Sequence, residues 1–223
     1  MTDAVVMAAG EGRRLRPLTE RYAKPVLPID GRPVIVTLLH ELRAAGLERA
    51  TVVTGHLAEQ VEGLLAGFPL ELRFVRQPEA LGSADAVRRA AAEPPYVVVA
   101  ADTVFTPGDI GRFLARAGDE GAIGWRTDPA PGRTRLRVEQ GDVTRVVDDD
   151  PANPHAAAPL WLVGPAVHDR VPNVPGPPFE LAAAFQAAVD AGTSIRAVEI
   201  GPTRDLTRPL DLVQDNFPYL MSL

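Results

Sequence analysis

The stretch DAVVMAAGEGRRLRPLT, residues 3–19, decides how the rest of the chain is read. Its first half, DAVVMAA over 3–9, is an apolar run of strand length. Its second half places two glycines, three arginines and a proline where a helix would ordinarily begin. An apolar strand running into a glycine loop is how an α/β sheet offers backbone N–H groups to an anion. Two common phosphate loops are excluded by spacing. The dinucleotide fingerprint needs a third glycine where Leu15 stands and a helix starting inside the loop, which Pro17 and Pro25 interrupt. The Walker pattern needs Gly-Lys-Ser/Thr at a fixed distance after Gly10, and it is absent. What remains is a glycine loop with Arg13, Arg14 and Arg16 beside it and Lys24 a short reach further, a constellation suited to a triphosphate.

Outward from this loop, strand-like runs recur at RATVVTG (49–55), LELRFVRQ (70–77) and YVVVAAD (96–102), with helical patterns around 33–45, 57–66 and 83–92. That alternation predicts βαβ units and a mostly parallel sheet. After a helix at 108–117, TRLRVEQGDVTRVV (134–147) reads as a hairpin turning at Gln140, Gly141 and Asp142, so a small antiparallel annex is expected. DDDPANPHAAAP (148–159) and VPNVPGPP (171–178) read as proline-rich loops flanking a strand LWLVG. A helix over 179–192 ends at Gly192, and SIRAVEIG (194–201) is a further strand. The expected fold is α/β: a Rossmann-like, mostly parallel twisted sheet flanked by helices, forming a single domain over 1–223 without internal repeats.

Composition bounds the function. A net charge of −6 argues against a general nucleic-acid binder or an anionic-membrane binder, so positive charge must act locally. The N-terminus lacks a basic, apolar and small-residue succession, and no apolar run is long enough to span a bilayer, so a cytoplasmic location is expected. There is no cysteine, which excludes thiolate metal sites and thiol nucleophiles. The four histidines at 40, 56, 155 and 168 show no ligand spacing, leaving zinc nothing to stand on. Of 23 basic residues only Lys24 is lysine. In a chain so biased toward arginine, that survivor points to a task needing a compact ammonium.

GEGRRLRPLT followed by KPVLPIDGRPVI resembles the N-terminal signature of the sugar-phosphate nucleotidylyltransferases, including the glucose-1-phosphate thymidylyltransferase-like and mannose-1-phosphate guanylyltransferase-like members. QPEALGSADAV resembles a further element of that family, AADTVF its strand-end metal aspartate, and RDLTRPLDLVQDN its C-terminal block, with Asp205, Pro209, Asp211, Leu212 and Asn216 in register. The resemblance runs essentially end to end. It implies a GT-A-like nucleotidyltransferase fold with a nucleotide-binding half over about 1–117, an acceptor-binding part over about 118–200 and a returning segment over 201–223. The end of the sequence at NFPYLMSL goes with an expectation that no β-helix or acyltransferase domain is appended.

The resemblance also implies roles. Arg14 and Lys24 become the catalytic cations: Arg14 on the departing pyrophosphate, Lys24 between the α-phosphate and the incoming phosphate. Gly10, Gly12 and Arg13 form the triphosphate loop, Arg13 standing where the family has Thr or Ser. Ala8 and Ala9, with Met7, lie beneath the base, and Gln77 and Gly82 contact it. Asp102 belongs to the nucleotide site, and Asp102 with Asp205 holds Mg²⁺, a hard cation bound by one or two carboxylates plus substrate phosphates. The implied partners are an NTP and a phosphorylated small-molecule acceptor, with no nucleic acid or membrane; a homo-oligomer is compatible with the aromatics Phe217 and Tyr219 and with the 172–178 loop.

On the acceptor side the chain departs from the family pattern. Where many members read Val-Glu-Lys-Pro, this one reads VVDDDP, with Asp148 and two more aspartates and no lysine. AAPLWLV replaces the usual Asn-x-Gly-Ile-Tyr, putting Trp161 near the expected acceptor pocket, and Glu180 keeps an acidic position able to bind sugar hydroxyls. Three readings follow: an enzyme forming an NDP-sugar or NDP-activated sugar-like compound, a cytidylyltransferase for a phosphocholine-like or phosphonate acceptor, or an idle nucleotide-sensing subunit.

Overall fold

A computed structural model describes residues 3–128 and 134–221. The chain enters through β1 (Asp3–Ala8), passes the glycine loop and a small hairpin of β2 (Pro28–Ile29) and β3 (Arg32–Pro33), and continues through α1 (Val34–Ala44), β4 (Arg49–Thr54), α2 (Ala58–Leu64), β5 (Glu71–Arg76), α3 (Ser83–Ala90) and β6 (Tyr96–Ala100). The short β7 (Thr103–Val104) leads to α4 (Asp109–Arg116), β8 (Gly121–Thr127), the hairpin β9 (Arg135–Glu139) and β10 (Asp142–Asp148), and the long β11 (His155–Val163). One turn, α5 (Pro165–His168), precedes α6 (Leu181–Asp190), β12 (Arg196–Glu199), β13 (Arg204–Asp205) and α7 (Pro209–Leu220).

Nine strands form one sheet in the order β5-β4-β1-β6-β11-β8-β12-β10-β9. The first four pair in parallel, as the alternation predicts. β1 shows why such a strand reads as unbroken apolar sequence. Ala4, Val6 and Ala8 pack on the side of α1, α2 and α4, while Val5 and Ala9 pack on the side of α3 and α6. In α1, buried Val34, Ile35, Leu38, Leu39 and Leu42 form one stripe at helical spacing.

The antiparallel part is larger than expected and is no separate annex. β11 inserts antiparallel between β6 and β8, β12 lies parallel to β8, and the β9–β10 hairpin extends the same sheet. The segment 155–159, expected as loop, is the first half of β11. Proline suggested a loop there because it cannot donate to a ladder. Pro159 sits within a register irregularity between Ala157 and Trp161, where a missing N–H is tolerated. No described helix is long and apolar enough to cross a membrane.

A third, smaller core joins Leu15, Leu27, Ile29, Val34, Val104 and Leu206. These six come from the glycine loop, the lysine loop and its hairpin, the start of α1, β7 and the segment after β13. Their burial brings together the backbone stretches that carry Arg14, Lys24, Asp102 and Asp205.

Candidate active site

The site lies beyond the carboxyl ends of β1 and β6, beside the point where antiparallel β11 interrupts the parallel order; such crevices are where open α/β sheets bind ligands. The glycine loop is built from local hydrogen bonds. Leu15 N donates to Gly12 O at 2.8 Å, Thr19 Oγ1 donates to the same oxygen at 2.9 Å, and buried Leu15 pins the turn. Gly12 has φ +62°, and a Cβ there would meet Thr19 Cγ2 at 2.8 Å, so only glycine fits. Further along, Gln60 holds the approach to Lys24 by accepting from Ala23 N at 2.8 Å and donating to Arg21 O at 2.7 Å.

Two cavities meet here. The first, about 400 Å³, is lined by Met7, Ala8, Ala9, Gly10, Gly12, Arg13, Gln77, Gly82 and Ser83 among others. The second, about 860 Å³, is lined by Arg126, Pro159, Arg204, Asp205, Arg208, Asp211 and Asp215 among others. Arg14, Lys24 and Asp102 line both. Ala8, Ala9, Gly10, Gly12, Arg13, Arg14, Lys24, Gln77, Gly82 and Asp102, the nucleotide-side residues that the resemblance implies, all border the first cavity, whereas Arg16 does not.

At the junction the Lys24 ammonium is paired with Asp102 Oδ2, its side chain only 15% exposed. Thr103, which follows Asp102, donates through Oγ1 to Asp205 Oδ1 at 2.8 Å and lies 3.4 Å from Asp102 Oδ1. One hydroxyl thus sits against both carboxylates, and the β7–β13 pairing, with Asp205 opposite Thr103, fixes that approach. Lys24, Asp102 and Asp205 converge. The three loop arginines differ from one another: Arg13 and Arg16 pair with Glu11, at 2.9 Å and 3.4 Å. Hydrogen bonding from Arg13 holds the Glu11 carboxyl below its ordinary pKa. Arg14 makes no side-chain hydrogen bond or ion pair with any described residue, so its guanidinium faces both cavities uncommitted.

The wall of the first cavity formed by Gln77 and Gly82 is equally ordered. Gln77 is 4% exposed, and its backbone N donates to Thr54 O at 2.7 Å. Gly82 has φ +110°, and a Cβ there would run into the Phe179 backbone, which brackets the turn through Phe179 N to Leu81 O (2.7 Å) and Ala84 N to Phe179 O (2.8 Å).

The residues expected on the acceptor side are dispersed. Asp148 accepts from Asn153 Nδ2 at 2.8 Å and from Arg137 Nη2 at 3.1 Å; the Asn153 bond, then Arg137, holds its carboxyl below the ordinary range. Trp161 packs edge-on against Phe185 at 4.8 Å between ring centroids. Neither is among the described residues lining either cavity. Glu180 stands exposed at the start of α6 and accepts from Ser83 Oγ at 2.6 Å, at the rim of the first cavity. Sequence reading missed Arg126, whose side chain is 6% exposed and lies 3.6 Å from Asp205 Oδ2 and 3.5 Å from Asp128 Oδ2. Its signal was a cation closing an otherwise apolar strand, GAIGWRT.

Asp102 and Asp205 fit a hard divalent ion in their donor chemistry: two carboxylates on one hydroxyl, both open to the second cavity. No group of three or more His, Asp or Glu that could hold a metal occurs among the described residues, so remaining ligands would have to come from substrate and solvent.

Comparison with known proteins agrees with this architecture. Glucose-1-phosphate thymidylyltransferase of Streptomyces griseus is 29% identical over 233 residues, covering 96% of this chain and 64% of that protein, so the chain spans less than two thirds of its relative. A 2-aminoethylphosphonate cytidylyltransferase of Lancefieldella rimae is 48% identical over 59 residues, 26% of this chain and 24% of its own. The solved inositol-1-phosphate CTP transferase from T. maritima superposes with a TM-score of 0.84 at 20% identity, over 100% of this chain and 95% of that one. The family model of the MobA-like NTP transferase domain matches residues 4–135, which include Arg14, Lys24, Gln77 and Asp102. The chain therefore belongs to the MobA-like NTP transferase domain family.

Proposed function

We propose that the chain transfers a nucleotidyl group from an NTP to a sugar 1-phosphate or sugar-like phosphate, releasing pyrophosphate and forming an NDP-sugar. The observation that carries this reading is the convergence of Lys24, Asp102 and Asp205 where a base-sized cleft meets a larger polar cavity. In this reading the first cavity takes the nucleotide and the second the acceptor. An acceptor phosphate oxygen attacks the α-phosphorus in line, the new P–O bond forms as the bond to the β-phosphate bridging oxygen breaks, and pyrophosphate leaves.

No protein nucleophile is required, so the work left to the chain is positioning and charge compensation. The glycine loop offers N–H groups to the triphosphate, and Arg14 neutralises charge on the departing pyrophosphate. Lys24, released from Asp102, meets the α-phosphate and the incoming phosphate. Bound at Asp102 and Asp205, Mg²⁺ would supply screening of phosphate charge. The acceptor lysine missing from VVDDDP has a spatial substitute in Arg126, a buried guanidinium lining the second cavity that we assign to the acceptor phosphate. Glu180, held by Ser83 at the rim of the first cavity, lies on the nucleotide side in this reading and is not assigned to the acceptor; Asp148 and Trp161 line neither cavity.

The short but strong match to a cytidylyltransferase favours a second reading, with CTP as donor and a phosphonate or phosphocholine-like acceptor. Pyrophosphate release, followed with four NTPs against sugar phosphates, cyclitol phosphates, phosphocholine and 2-aminoethylphosphonate, separates the readings. Turnover with sugar phosphates supports the first and turnover with the aminated acceptors the second. Nucleotide binding without any turnover overturns both in favour of a sensing subunit.

A further inference from the structure

The wall of the first cavity that meets the nucleobase has a fixed hydrogen-bond polarity. Gln77 Nε2 donates to Gly82 O at 3.1 Å and to Asp85 Oδ2 at 2.9 Å, which commits both amide hydrogens. Asp85 lies in the first turn of α3 with its side chain fully buried. It also accepts from Arg88 Nη2 at 2.6 Å and Arg89 Nε at 2.7 Å. Burial pushes this carboxyl up, but the hydrogen bonds from Arg89, Gln77 and Arg88 outweigh it and keep the group ionised. An ionised carboxylate only accepts, so a flipped Gln77 amide would set its oxygen against both Asp85 Oδ2 and Gly82 O. Gln77 Oε1 therefore faces the cavity, with no partner among the described residues and its side chain otherwise enclosed.

We propose that Asp85 is a positioning residue for base selection: by locking the Gln77 amide with its oxygen toward the cleft, it makes the pocket prefer keto bases over amino bases. Uracil, thymine and guanine carry a ring N–H on the pairing edge and donate to Oε1; cytosine and adenine carry a ring-nitrogen lone pair there and oppose it. A site built around one buried polar group discriminates because the mismatched ligand leaves that group unsatisfied. This inference rests on the reading of the first cavity as the nucleotide site.

The test is equilibrium binding of UTP against CTP, and GTP against ATP, to the full chain without acceptor, each pair matched in ring size. For the wild type, UTP is expected to bind about ten- to a hundredfold more tightly than CTP, and GTP more tightly than ATP. Asp85→Asn frees the amide to turn, and the ratio within each pair should fall toward one while the pairs themselves still bind. A role in stability alone would weaken all four nucleotides together and leave the ratios intact, which would overturn the inference. Should Asp85→Asn not fold, as judged by circular dichroism, Gln77→Met decides: it removes the acceptor outright and should abolish the ratios in the same way, and their persistence would overturn the inference. Equal binding of the paired nucleotides by the wild type, or a preference for CTP, overturns it while leaving the nucleotide site standing. Failure of the wild type to bind any NTP overturns the reading of the site, and this inference with it.

Discussion

At the scale of single residues, the site depends on side chains that are already charged and held close before substrate arrives. Lys24 is the clearest case, since its ammonium is paired with Asp102 and in the proposed reaction changes partner to phosphate. Lys24→Ala is expected to lower kcat on the order of a hundredfold or more in a pyrophosphate-release assay, by analogy with removing one oxyanion donor. Lys24→Arg should recover little of this, because a planar fork cannot occupy the place of a point charge shared between two phosphates. Arg126 provides a complementary prediction. Arg126→Ala should raise the acceptor KM by about tenfold or more, the size of a lost charge-assisted hydrogen bond, and leave the NTP affinity unchanged in calorimetry. Of this chemistry, Arg14, Lys24, Asp102 and Asp205 were legible in the sequence because each stands in a short motif. Arg126 was not, because its one local mark, a cation near the end of an otherwise apolar strand, does not set it apart among 22 arginines without the strand order.

At the scale of elements, the returning C-terminal segment does more than close the chain. Asn216 in α7 donates to Pro28 O at 2.8 Å and Leu212 O at 2.7 Å, and accepts from Gly31 N at 2.9 Å, joining the helix to the β2–β3 hairpin. The Asp30–Arg204 ion pair ties β13 to the same hairpin. Asn216→Ala leaves these backbone groups unsatisfied and is expected to cost about 1–3 kcal/mol, read as a lower urea midpoint with faster amide exchange concentrated in α7. The sequence placed Asn216 in a motif without revealing this role, since its partners lie 185 and 188 positions away. Helices α1, α2, α3, α4 and α6 and the parallel strands β1, β4, β5 and β6 were, in contrast, visible from periodicity, whereas α7 was not expected. The first half of β11 was not, because its alanines and proline imitate a loop until the neighbouring strands are in place.

At the scale of the whole molecule, the balance of carboxylates sets the response to acid. Asp30, Asp85, Asp148 and Asp211 have their pKa values lowered in the fold, so each contributes stability that is present above the unfolded value near 3.8 and lost as pH falls through the lower folded value. Asp215 has the opposite sign: burial raises its carboxyl, so its ionisation costs stability as pH rises from the unfolded value near 3.8, with the full cost reached above the raised folded value. Asp215→Asn is therefore expected to raise the thermal midpoint at pH 7 and to leave it unchanged below pH 3.8, where the group is protonated in both states. An equal effect at both pH values would show that the side chain acts through packing instead. The sequence by itself determined the α/β class, the alternation of strands and helices through the parallel half, the glycine loop and the charged side chains beside it, because these are written in periods of two and 3.6 and in motifs of a few residues. Only the tertiary structure decided which distant side chains share a cavity. Strand order and register set that, and alternate residues along a strand point to opposite faces. Asp148 accordingly turns toward Arg137 and Asn153, while Arg126 lines the second cavity and Asp85 holds the Gln77 amide at the wall of the first.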